Sequence, residues 1–400
     1  LTLYRSRLQR APDDPVRLYA AGLCLTYLDG QAPLDEARGL IQKAIQREGQ
    51  TAYFHQTLGY IFEVMETVHH QPGYLEKALE SYQKAYFLNR PEEDPRNGAD
   101  LALNLGNIHF LLGQYGKALE RYLERLDAEV PFDQPDTEIL FYRRLGASAF
   151  QVRDPDRPIT AFQKAIALID QRIDPKRPSE VMGKINDVVR DRILNPALKR
   201  PGTAEAAKVL AQRQAAIQQR LFQATTQTFG PPPDPRWQGY RDALEPLIKD
   251  QEALIADIAP LIQDGPEETV QNLRYMLLNA REALGFPMSM VELKAEMLDR
   301  LGLAYQEADR WPEARAAFEA AFALNKALGQ VRNLAANRRS VAYSAYMAAG
   351  DLTGAARIEM LREAARDFEQ VPGLLEEHGT AEIKKGATSR PGQALSLIHI

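Results

Sequence analysis

Apolar residues recur three and four positions apart along most of this 400-residue chain. That spacing places them on one stripe of an α-helix. No segment alternates apolar and polar residues for long enough to predict a strand. The stripes are short and are broken by turn-forming groups such as Gln71-Pro72-Gly73 and Gly230-Pro231-Pro232-Pro233-Asp234-Pro235. The predicted fold class is all-α. A single short helix pair cannot bury its own apolar face, so the pairs are expected to stack on their neighbours.

The stripes also share an internal register. In residues 298–325, Leu301-Gly302 is followed by Tyr305, then by Ala314, Phe318 and Ala321. Leu105-Gly106 is followed by Ala118 and Tyr122, and the step from Gly to Ala is 12 residues in both copies. Tyr115 and Trp311 each stand nine residues after their glycine. Weaker copies start at Gly22 (then Ala37, Ile41, Ala44), at Gly59 (then Ala78, Tyr82, Ala85) and at Gly146 (then Phe162 and Ala165, with Pro158 where Ala is usual). A sixth copy has Ala342 in the glycine place, followed by Ile358 and Leu361. A small residue on a first helix lets the second helix approach, and the Ala and aromatic positions fill the space between them.

This pattern resembles the tetratricopeptide repeat, L-G-x2-Y…A-x3-F-x2-A. The resemblance implies a right-handed α-solenoid of antiparallel helix pairs. Spacings between the key small residues are 37, 47, 40 and, for the last pair, 40, against about 34 in the standard unit. Such lengths resemble the long-repeat subclass of kinesin light chains, spindle-orientation adaptors and some bacterial regulators. Four repeats and a partial leading helix are expected in 1–170, and a C-terminal repeat pair in 291–385. The register fails between them, where helical periodicity continues over 179–194, 203–228, 239–263 and 266–284. Residues 171–290 are therefore expected to form two degenerate hairpins.

Residues 386–400 read as a disordered tail. The last six residues, Leu395 to Ile400, resemble a translated sequencing adaptor. The chain begins at Leu1, and YRSRLQRAPDDP reads as the end of a repeat whose start is missing. The expectation is a piece of a larger, bacterial protein, so the lack of a leader sequence says nothing.

Charge and chemistry narrow the function classes. With 49 Lys and Arg against 54 Asp and Glu, the net charge of −5 argues against nucleic-acid binding, which needs a basic footprint. No run of 18 apolar residues predicts a membrane span. Cys24 is the single cysteine, so an intrachain disulfide or a multi-Cys metal site is ruled out, and it is expected as a small buried hydrophobe. One cysteine is compatible with the cytosol and with a bacterial exported protein alike. No phosphate loop, dinucleotide turn or nucleophile elbow is present. His69-His70, the one histidine cluster, points its rings about 100° apart on a helix and is expected at a solvated helix end. Glu92, Glu93 and Asp94 are expected in a polar inter-repeat loop. No catalysis, cofactor or metal is expected.

The resemblance further implies a binding surface. In tetratricopeptide proteins the first helices line a concave groove, and groove-facing positions lie one residue after the key small residue and two or three before it. Those places hold Tyr60, Asn104, Asn107, Arg143, Arg144, Asp299, Arg300, Arg339 and Tyr343. Asn carries a donor and an acceptor for peptide backbone, Arg a rigid fork for carboxylates, and Tyr flat contact area. The segment Asn104-Leu105-Gly106-Asn107 is similar to one in the long-repeat adaptors, where the second Asn reaches peptide backbone. Lysine is absent from these places, which argues against a clamp for a free C-terminal carboxylate. The expected partner is a protein or peptide, held as an extended segment, acidic ones included. A regulatory array of a larger enzyme or transcription regulator, and a part of an envelope or secretion assembly, are the alternatives.

Overall fold

The computed structural model describes residues 12–28, 30–90, 94–173, 176–226, 235–263 and 266–378. Among them every regular element is helical. The opening segment 1–11, residues 91–93 with Glu92 and Glu93, the Pro-rich breaker at 230–234 and the tail 386–400 lie outside the described residues. The chain divides into two compact units after Ala165.

The first unit consists of helix hairpins: α1 (Pro15–Thr26) with α2 (Gln31–Arg47), α3 (Ala52–Thr67) with α4 (Leu75–Leu88), α5 (Pro95–Leu111) with α6 (Tyr115–Asp127), and α7 (Pro135–Gln151) with α8 (Arg157–Arg172), whose last turns belong to the second unit. Aspartate followed by proline starts two of these helices. The side chains of Asp14 and Asp94 accept from the backbone N–H of Arg17 and Asn97, each at 3.0 Å, while Pro15 and Pro95 fill the first position, where no N–H is needed. Asp94 is thus a helix cap as well as a loop residue.

Two of the hairpins turn alike. After α5, Gly113 adopts φ +71° and the N–H of Gln114 bonds the carbonyl of His109 at 2.8 Å. After α7, Arg153 adopts φ +59° and Asp154 bonds Ala149 at 3.0 Å. Both are left-handed caps closing a six-residue loop on the helix end, with a non-glycine residue in the second case. His69 and His70 stand in the turn after α3, as expected, and His70 has φ +54°.

The second unit begins with α9 (Arg177–Val188), a π turn (Val189–Leu194) and a one-turn helix (Asn195–Leu198). Then come α10 (Ala204–Thr225), α11 (Pro235–Ile258) and α12 (Pro266–Glu307). These four helices share one core, with Met182, Ile185, Trp237, Leu244, Leu254, Leu273 and Leu277 buried in it. A polar ladder crosses that core. Gln251 Nε2 donates to Gln214 Oε1 at 3.3 Å, and Gln214 Nε2 donates to Asn186 Oδ1, with each of the three side chains at most 3 % exposed.

The periodic segment expected to stop near 284 does not stop there. It runs on as the 42-residue α12, which passes residue 290 unbroken and supplies the first helix of the C-terminal repeats. There α12 packs on α13 (Trp311–Ala327), α13 on α14 (Val331–Ala348), and α14 on α15 (Gly354–His378).

Two details differ from the sequence reading. Cys24 is half-buried rather than enclosed, because it falls beside, not on, the stripe of Leu18, Ala21 and Leu25 that meets the core. Ile358 is 53 % exposed and does not fill the ring position opposite Ala342. On α15 it is Ala364 that is buried.

Candidate peptide-binding surface

The small residues of the repeat decide how closely each helix pair packs. A methyl group built at Gly59 would lie 2.8 Å from the ring of Tyr82. At Gly106 it would lie 2.6 Å from Tyr122, at Gly146 2.7 Å from Phe162, and at Gly302 2.7 Å from Phe318. Carbon atoms normally rest about 3.5–4.0 Å apart, so a side chain larger than hydrogen would displace the ring at each place. Gly22 meets Ile41 in the same way at 2.8 Å. The partner residue comes from the second helix of the same pair each time, at the place where the register puts it. This is the packing that the tetratricopeptide resemblance implies.

Comparisons with known proteins return only loose structural likenesses. No family model matches the chain, and no curated protein matches it. Among solved structures, the chain is similar to MamA at 19 % identity over 42 % of this chain and 86 % of that one, with a TM-score of 0.34. It is similar to TTC0263, a thermophilic tetratricopeptide protein of Thermus thermophilus, at 23 % identity, 42 % and 80 % coverage and a TM-score of 0.31. Against the TPR2AB domain of yeast Sti1 in its complex with pHSP90, the values are 12 %, 94 % and 98 %, and 0.28. Superpositions this loose carry no argument, and the resemblance rests on the internal packing just described.

Because the ring lies flush over glycine, its far edge emerges beside the first helix. Two of the four rings are tyrosines, and their hydroxyls reach residues of that helix. Tyr82 donates to Glu63 Oε2 at 2.9 Å, and Tyr122 donates to Asn107 Oδ1 at 3.1 Å. Arg144 lies beside this pair. Its guanidinium is 5.7 Å from the centre of the Phe110 ring, within cation–π range. Its charge acts on both Tyr122 and Glu63. Tyr60, 47 % exposed, lies one turn before Glu63 on α3. Polar groups thus stand on three successive first helices of the first unit: Tyr60 and Glu63 on α3, Asn107 on α5 and Arg144 on α7, whose charge is felt at Glu63 and Tyr122.

Burial governs the protonation of these groups. It pushes the carboxyl of Glu63 up, and the Tyr82 hydroxyl and Arg144 pull it only part of the way back. Burial also raises Tyr82 and Tyr122, so both stay protonated as donors. Burial, then the Glu63 charge, raises Tyr60.

The predicted residues fare unequally. Tyr60, Asn107 and Arg144 are among these polar groups. Asn104 is half-buried on α5, three residues before Asn107 and so on the same side of the helix. Arg143 is half-buried and points about 100° around α7 from Arg144. In the second unit, Arg300 is tied to Glu296 one turn back, Nε to Oε1 at 2.8 Å. Asp299 accepts from Asn337 Nδ2 at 2.7 Å. Arg339 is exposed, and Tyr343 meets Trp311 edge-on at 5.9 Å. Sequence reasoning missed Glu63, Tyr82 and Tyr122. The signal was present: tyrosine rather than phenylalanine at the ring position announces a hydroxyl at the helix edge, and Glu63 follows Gly59 by one turn.

Among the described residues, no helix is long and apolar enough to cross a membrane.

Proposed function

We propose that this protein is an interaction scaffold that holds an extended peptide segment of a partner along the first helices of its N-terminal unit. One observation carries the reading. The Tyr122 hydroxyl donates to Asn107 Oδ1, which leaves the Asn107 Nδ2 donor for the carbonyl of an incoming peptide. Arg144 lies one helix further on and offers charge-assisted donors to an acidic side chain. Tyr60 offers a half-exposed ring one helix back.

The test is a display library of random extended peptides panned against the whole chain, with binding of the winners followed by fluorescence anisotropy. Circular dichroism first establishes that wild type and the Asn107→Ala, Arg143→Glu, Arg144→Glu variant are equally helical. Winners rich in Asp and Glu that bind the variant at least tenfold more weakly are the expected result. Winners that bind both proteins equally, or a library without winners, would overturn the reading.

A further inference from the structure

The second unit holds a cavity of about 390 Å³ between α12 and α14, closed at one end by the last turn of α13. Glu292, Glu296 and Asp299 line it from α12, Asn325 from α13, Gln330 from the following turn and Asn337 from α14. Positions 292, 296 and 299 fall on one face of a helix. The lining holds three carboxylates and neither Lys nor Arg. Arg300, next to it in sequence, is bound to Glu296.

The hydrogen-bond directions decide what this cavity can take. An ionised carboxylate only accepts. Asn337 must therefore present Nδ2 to Asp299 Oδ1, as it does at 2.7 Å. That turns Asn337 Oδ1 toward Asn325, which must answer with its own Nδ2, and does so at 2.8 Å. Asn325 is 4 % exposed, and its Oδ1 is left facing the cavity with no donor of the described residues on it. Gln330 likewise presents Nε2 to Glu292 Oε1 at 3.0 Å, leaving its own carbonyl outward. Each of these three amides commits one N–H to a protein acceptor, and the fourth lining amide, Asn333, is exposed at the rim; with three carboxylates beside the amide oxygens that remain, the lining favours a ligand rich in donors.

We infer that this cavity receives an arginine side chain of a peptide partner. A guanidinium carries five N–H donors in a planar fork and no acceptor, the complement of this lining. The cavity lies above the lower end of the range for small-ligand sites, roughly 300 Å³, which leaves room for a long side chain. Ala295 and Ala336 supply short apolar wall for its methylenes. Burial also raises the Asp299 carboxyl, Arg300 and Asn337 pull it only part of the way back, and an incoming cation would pull it further. The site is independent of the N-terminal groups and of the opposite charge preference.

The experiment uses the full chain and fluorescein-labelled Gly/Ser heptapeptides carrying a central arginine, lysine, citrulline or glutamate. The expected result is saturable binding of the arginine peptide, weakened at least tenfold by citrulline, which keeps the shape and loses the charge. Glu292→Gln with Glu296→Gln, both on the partly exposed face of α12, should weaken it by a similar factor at unchanged helicity. Arg143→Glu with Arg144→Glu should leave it unchanged, which separates this site from the N-terminal one. Absence of saturable binding up to millimolar peptide, equal binding of citrulline or glutamate, tighter binding of lysine, or indifference to the α12 variant would each overturn the assignment.

Discussion

Replacing Gly106 with alanine tests whether ring-over-glycine contact organises the repeats. The new methyl would lie 2.6 Å and 2.7 Å from two carbons of the Tyr122 ring, about 1 Å inside normal contact. Neither side can yield cheaply, because Gly106 and Tyr122 are both buried and the ring is also packed edge-on against Phe141 at 5.5 Å. Overpacking of this kind costs about 1–3 kcal/mol. Displacing the ring also threatens the Tyr122–Asn107 hydrogen bond, for about 0.5–1.5 kcal/mol. Against this, alanine in a helix interior is favoured over glycine by about 1 kcal/mol. The net expectation is a loss of about 1–3 kcal/mol. Gly39, inside α2, has no neighbouring atom within 4 Å of a built methyl, so Gly39→Ala should show the propensity gain alone, up to about 1 kcal/mol. Urea titrations followed by circular dichroism would read both, and Tyr122→Leu should restore part of the loss in the Gly106→Ala background. If Gly106→Ala proves as stable as wild type, or behaves like Gly39→Ala, close approach at glycine is not what holds the pair.

Three further outcomes follow from the structure. Burial raises the Glu63 carboxyl above its ordinary value of 4.5, so the folded state binds this proton more tightly than the unfolded one, and stability is lost as pH rises through the folded value. Glu63→Gln should therefore be the more stable protein at neutral pH, with its advantage vanishing below about pH 4.5; thermal melts across pH that show a constant gap, or one of opposite sign, would refute this. Gln214→Leu should leave Asn186 Oδ1 and Gln251 Nε2 buried without the partner they now share, at about 2–4 kcal/mol in total. Replacing Asn186, Gln214 and Gln251 together by leucine should recover most of that in the same titration. Arg153 holds φ +59°, a conformation costing a non-glycine residue about 1–2 kcal/mol, so Arg153→Gly should raise the melting temperature slightly; a lower one would show that its side chain contributes more than its backbone costs.

The helical class and the repeat register were legible in the sequence, because both depend on local spacing. Three- and four-residue periodicity dictates a helix wherever it occurs. A glycine followed 16 residues later by an aromatic, as Gly106 by Tyr122 or Gly302 by Phe318, is a packing relation written inside one hairpin. Asn107 and Arg144 could be picked out for the same reason, since their distance from the glycine determines their direction on the helix.

What the sequence could not determine depends on groups far apart in the chain. Whether Arg300 is available or tied to Glu296, and which way the amides of Asn325, Asn337 and Gln330 point, follow from partners up to 38 residues away. The run expected to end near 284 carries no mark of being half of a 42-residue helix, because either half has the same periodicity. Ile358 follows Ala342 at the distance the repeat register asks, yet it is exposed and Ala364 is buried once α15 packs on α14. Helix formation is a short-range property, determined by each residue and its neighbours one turn away. The polarity of a pocket is a long-range one, determined by which donors find acceptors when separate helices meet.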